Sequence, residues 1–181
     1  MKTILFLPIF FGLLRAGSPR DYSTPATLNP LKTMITEGDK TKNEAAIREL
    51  IDRFAKAFHV KDVDGCMSVF APEIVSFDIR PPLQAVGAES FVKHWHEFFD
   101  SYEGPIHVEF PDVSVAAGDD VAFSYCLHRI KGTLKNGHKT DFWLRWTAGW
   151  RKTNGRWLIV HEQVSVPGDL GSGKALLDLK P

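Results

Sequence analysis

From residue 41 to residue 60 the apolar positions Ile47, Leu50, Ile51, Phe54 and Phe58 recur at steps of three and four. That spacing gathers them on one face and predicts an amphipathic helix. Asp62 suits the N-cap of a short second helix running to Val69, weakened by Gly65 and closed by Pro72. The run EIVSFDIR, residues 73–80, is rich in β-branched and aromatic side chains and stops at Pro81 and Pro82, which predicts a strand entering a stiff turn. After Gly87, Phe91, Trp95, Phe98, Phe99 and Tyr102 return to helical spacing, and Gly104 and Pro105 end this third helix. Beyond it the period becomes two. Runs 106–116, 121–133, 139–152 and 156–166 are separated by Gly118-Asp119, Asn136-Gly137 and Asn154-Gly155, and Asn-Gly between β-type runs is a strong hairpin signal. The order implies an α+β domain: a cone-shaped, strongly curved antiparallel sheet with three N-terminal helices packed on its concave face, enclosing an apolar interior.

The ends of the chain read differently. Residues 1–18, MKTILFLPIFFGLLRAGS, carry Lys2, an apolar stretch over 4–14, Arg15 and then small residues. This is the pattern of a signal peptide, and the stretch is shorter than the ~20 residues of a spanning helix, so no membrane anchor is expected. Cleavage would make the protein secreted or periplasmic; translation from Met34, just upstream of the first helix, would leave it cytoplasmic. Residues 19–40 are rich in Pro, Thr, Ser and Asn and read as a flexible linker. The folded domain is expected over 41–167, with 168–181 as a C-terminal tail.

Composition narrows the function classes. Of 181 residues, 44% are hydrophobic, including 13 Phe and 5 Trp, enough for one sizeable core. Lys plus Arg and Asp plus Glu are both 22, so no global field attracts phosphates and a nucleic-acid partner is not expected. Cys66 and Cys126 form no CxxC pair and are expected in the core, and no metal is expected. His94 and His96 sit two apart on a helix, where they do not share a face. His59 suits the negative end of the first helix.

The element order, together with VSFDIRPPLQAVGAESFVKHW (residues 75–95) and RWTAGWRKTNGRWLIVHEQVS (residues 145–165) followed by VP, resembles the nuclear transport factor 2-like superfamily, within it the SnoaL-like and ketosteroid-isomerase-like group. The resemblance spans residues 43–167. Its fold carries isomerases, dehydratases, cyclases, epoxide hydrolases and plain binding or association modules. It implies no cofactor, and it places the general base of the isomerases on Asp78, whose relation to Pro81, Pro82 and Gly87 repeats their strand-end order. A carboxylate in an apolar cavity is held near working pH and can move a proton from a carbon acid. The competing reading of Asp78 is a strand-end residue that binds turn amides.

The isomerases' oxyanion donors fall on Phe54 and Thr147, which supply no donor and a weak one, so true steroid isomerisation is not implied. Period two groups Trp143, Arg145, Thr147 and Gly149, whose counterparts in the isomerases face the cavity. Arg145 there would stabilise an anion, or hold Asp78 or Glu162; alternatively it is exposed and paired with Asp141 or Glu162. Phe142, Leu144, Trp146, Ala148 and Trp150 form the other face, and Trp146 and Trp150 facing outward would favour a sheet-to-sheet homodimer. On the last strand Trp157, Ile159, His161, Gln163 and Ser165 alternate with Leu158, Val160, Glu162 and Val164, and the sequence leaves open which set faces inward. Counting against the isomerases selects Glu162, while His161 or Thr147 would orient a substrate. Phe54, Trp95, Tyr102, Trp143 and Glu162 are the expected substrate contacts, with Trp95 and Tyr102 offering donors. Two functions follow: a domain that binds a small apolar molecule as a cofactor-free isomerase or lyase, with Asp78 as base and Arg145 stabilising the anion, or a non-catalytic ligand-binding or association module.

Overall fold

The computed structural model describes residues 36–181. The expected leader and most of the expected linker lie outside the described residues. Helix α1, Glu37–His59, begins earlier than the apolar spacing predicts. Its polar first turn has no periodicity to read; capping starts it, since the Thr36 hydroxyl accepts the Asp39 N–H at 3.1 Å and acids at 37 and 39 suit the positive helix end. Helix α2, Val63–Met67, is capped by Asp62, which accepts the Gly65 N–H at 3.0 Å.

Strand β1, Phe70–Phe77, starts and stops three residues before the predicted run. Asp78, Ile79 and Arg80 are thereby freed for the turn that follows. The short strand β2, Ala85–Val86, folds back on β1 and leads through Gly87 into helix α3, Ala88–Asp100. Tyr102 does not end that helix; it opens strand β3, Tyr102–Glu109. The single strand predicted over 106–116 is two, because Pro111 and the positive φ of Asp112 (50°) break the chain before β4, Ser114–Ala117. Strands β5 (Val121–Leu134), β6 (Lys139–Thr153) and β7 (Arg156–Ser165) follow at the predicted Gly-containing turns. A two-rung hairpin, β8 (Gly168–Asp169) and β9 (Lys174–Ala175), occupies the expected tail.

The main sheet runs β2-β1-β7-β6-β5-β3, with β4 also on β5. It is antiparallel except between β1 and β7, which are parallel, a pairing made possible by the α3 and meander chain between them. The three helices cover its concave face, the cone predicted from sequence. One end of that interior is solid: Ile47, Ile51, Ile74, Ile159 and Trp150 are each at most 2% exposed. Cys66 and Cys126 are buried free thiols, both pushed up to about 12 by burial. No described helix is long and apolar enough to cross a membrane.

Candidate functional site

At the other end the helices and sheet do not meet, and a cavity of ≈ 80 Å³ remains, enough for several water molecules or a small ligand. Its wall is aromatic. Phe54 and Phe58 come from α1, Phe91, Trp95 and Phe98 from α3, and Phe142 and Trp146 from β6. These rings meet edge to face, as between Phe54 and Trp95 at 5.6 Å and Phe58 and Trp95 at 5.5 Å, the arrangement their quadrupoles favour. The shell is therefore packed against itself and not against what the cavity would hold.

A few polar side chains belong to this shell. Glu162 on β7 is 4% exposed. Its Oε1 accepts the Ser76 hydroxyl at 2.9 Å, and its Oε2 accepts the Trp146 indole N–H at 3.0 Å. Burial pushes its carboxyl up to about 7; the two hydrogen bonds pull the other way, and the Asp78 charge adds to the rise. His128 on β5 is 7% exposed and is held down to about 4 by burial, so it is neutral at physiological pH. Neither of its ring nitrogens has a partner, nor do Trp95 Nε1 and His94 Nδ1. A buried polar group left unpaired costs about 1–3 kcal/mol, and all three of these side chains line the one cavity. The residues that line the space thus include an indole, two imidazoles and a protonatable acid.

Asp78 lines the same cavity. Its Oδ1 accepts the Arg80 N–H at 3.1 Å, so the turn-amide contact weighed from sequence exists alongside the cavity position. Phe54, Trp95 and Glu162 are on this wall as well. Arg145, Thr147 and Trp143 are not: they open onto a groove on the opposite, convex side of the sheet, shared with Tyr125 and Leu127. The cross-strand pairs Leu127↔Arg145 and Tyr125↔Thr147 hold that face together. The physical reason is on β6 itself. The wholly apolar set, Phe142 to Trp150, gains more from burial than a set containing Arg145, so Leu144, Trp146, Ala148 and Trp150 turn inward. Arg145 therefore cannot stabilise an anion beside Asp78, and Trp146 and Trp150 are not an outer dimer surface.

Tyr102 also lies off the cavity. It is 3% exposed, its hydroxyl accepts from Thr140 Oγ1 at 3.2 Å, and its ring fills the space over Gly132, where a Cβ would come within 2.7 Å. His161 faces the convex side beside Phe77, with ring centroids at 4.7 Å, and its Nδ1 lies 2.8 Å from the Val75 carbonyl oxygen. Neither alternating set of β7 survives whole. Gly149 pairs with His161 but Trp150 pairs with Ile159, leaving Val160 as a bulge. The bulge reverses the alternation. Trp157 and Ile159 point inward before it, and Glu162 does so after it.

Three polar wall residues escaped the sequence reading. His128 stands in the inward set of β5 with Ala122, Ser124 and Cys126; a histidine among small buried residues was the available signal. Arg80 was visible only as the end of a strand. His94 was read as half of a failed metal pair, and it does part from His96, which opens onto a different surface.

A helix-covered curved sheet with a blind aromatic hollow defines the cone-fold class of nuclear transport factor 2-like proteins. Residues 47–169 match the model of the SnoaL-like domain, and the chain belongs to that family. A nuclear transport factor 2-like protein of unknown function from Pseudomonas putida is 33% identical, with a TM-score of 0.72 over 78% of this chain and 98% of that one. A ketosteroid isomerase-like protein from Erwinia carotovora shares the fold at 21% identity and a TM-score of 0.60, covering 68% of this chain and 95% of that one. The association domain of CaMKII from C. elegans does so at 16% and 0.55, covering 70% and 98%. No curated protein matches the sequence.

Proposed function

We propose that this SnoaL-like domain binds a compact, mainly apolar molecule bearing a hydrogen-bond-accepting oxygen, and moves a proton on it. The observation that carries the reading is that three residues with unpartnered buried polar atoms, Trp95 (Nε1), His94 (Nδ1) and His128 (both ring nitrogens), line one aromatic cavity. A carbonyl oxygen accepting from Trp95 and His128 would repay their desolvation. Asp78 is the base of this reading: its carboxylate takes a proton from the carbon beside the carbonyl, and the electron pair moves to the oxygen as an enolate. Glu162, neutral up to about pH 7, supplies a proton to that site, the role of anion stabiliser formerly expected of Arg145.

The test is exchange of α-hydrogens in D2O, followed by NMR on cyclohexanone, acetophenone and phenylacetaldehyde. Wild type should accelerate exchange, and Asp78→Asn should lose about a hundredfold of that acceleration. Trp95→Phe should weaken binding of the same carbonyl compounds by about tenfold. Binding without exchange would convert the reading to the non-catalytic module.

We infer further that two copies pair through the convex sheet face. Phe123 and Tyr125 stack at 6.1 Å and are 51% and 52% exposed, beside Leu127 at 40%. Such a row is self-complementary about a two-fold axis, and the association-domain neighbours support assembly through this fold. Sedimentation should give a dimer for wild type and a monomer for Tyr125→Glu; a monomeric wild type would overturn the inference.

A further inference from the structure

We propose that the ligand of this cavity is a compact monocarboxylate, its acid group held by Arg80 at the mouth and its apolar body enclosed by the aromatic wall. The inference rests on the reading of the cavity as a binding site and adds the chemical class of what it takes. Arg80 lines the cavity from the turn after β1. Its guanidinium lies 5.4 Å from the centre of the Phe98 ring, and its Nη2 donates to the His94 carbonyl oxygen at 3.2 Å. The ring and the carbonyl hold the group in place, yet only one of its N–H donors is spent.

The remaining donors have no acid to meet. Among the described residues no carboxylate lies within 4.0 Å of the Arg80 guanidinium, whereas that of Arg129 is gripped by Asp141 at 2.7 Å through two parallel bonds. Asp78, two residues away, spends Oδ1 on the Arg80 backbone N–H and does not reach the side chain. A planar fork of free donors at the mouth of a cavity is the geometry that receives a carboxylate. An exposed arginine with spare donors would mean little; this one is half-buried and opens on the same hollow as the unpartnered His128.

Charge and size set the rest of the ligand. Among the described residues that line the cavity Arg80 is the one Arg or Lys, and Asp78 lines it too, so a dianionic phosphate would leave two uncompensated negative charges where a monocarboxylate leaves one. A hollow of ≈ 80 Å³, about half the ~150 Å³ that encloses a benzene, favours a compact body. With the acid outermost, the body meets Phe54, Trp95 and Phe98, and an inner oxygen, where present, meets Trp95 and His128.

The test uses matched probes that differ only in charge: phenylacetate against phenylacetamide and isovalerate against isovaleramide, titrated calorimetrically into the full chain. Each acid should bind wild type roughly tenfold more tightly than its amide. In Arg80→Gln the preference should vanish while the amide affinity is retained. Arg80→Lys, which keeps the charge but not the fork, should restore part of it. An amide bound as tightly as its acid in wild type, or a preference that survives in Arg80→Gln, overturns the monocarboxylate while leaving the cavity reading intact. Binding of none of the four overturns both.

Discussion

Glu162→Gln should stabilise the protein by up to about 3 kcal/mol at pH 8 and leave its stability near pH 4 unchanged. The carboxyl lies in the apolar wall, and burial lifts it from 4.5 to about 7. Between those values the unfolded chain has released the proton and the folded chain has kept it. Folding then competes with ionisation, so the contribution to stability present below pH 4.5 is lost as pH rises and is gone above about 7. Glutamine carries no charge at any pH. Its carbonyl can accept the Trp146 N–H and its amide can donate to Ser76, replacing the two bonds at 2.9 and 3.0 Å. Urea unfolding of wild type and variant from pH 4 to 8 gives the difference directly. A difference that does not grow with pH would show that Glu162 ionises freely, and the proposed acid would be lost.

His128→Phe should produce the mirror image, a gain that grows toward acid and reaches about 3 kcal/mol near pH 4. Burial lowers this imidazole from 6.5 to about 4. In that window the unfolded chain takes up a proton that the folded chain refuses, and stability falls as pH falls. Phenylalanine removes the titration and two unpartnered nitrogens together, and its ring can pack on Phe110, which already meets His128 at 5.4 Å. Wild type alone would conceal both effects, because between pH 4.5 and 6.5 the two slopes are opposite in sign. The pair of variants separates them. The same substitution should weaken ketone binding by about tenfold, since it removes a donor from the wall; unchanged binding would take His128 out of the site.

Much of the scaffold could be read from periodicity, because burial of apolar surface leaves its mark at local spacings. Steps of three and four in residues 47–58 and 91–99 are helices packed on the sheet, and alternation between Gly-containing turns is the meander. The capping residues Thr36 and Asp62 and the turn at Asn154-Gly155 are equally local. Asp78, Phe54, Trp95 and Glu162 were nameable as candidates because the family resemblance and their residue types pointed to them, and the tertiary structure gathers these four on one wall.

The remainder depended on which side of the sheet each strand presents to the helices, and alternation is symmetric in that choice. A one-residue change of phase exchanges the faces. On β6 it put Arg145, Thr147 and Trp143 on the convex side; on β7 the bulge at Val160 changed phase within the strand, burying Glu162 and releasing His161. The chain by itself determined the three helices, the long strands β1, β5, β6 and β7 and the apolar interior, since these follow from neighbours in sequence. Only the folded sheet decided that His128 and Arg80 share a hollow with Glu162, because that proximity arises from strand pairings between distant residues and from a bulge that no local pattern records.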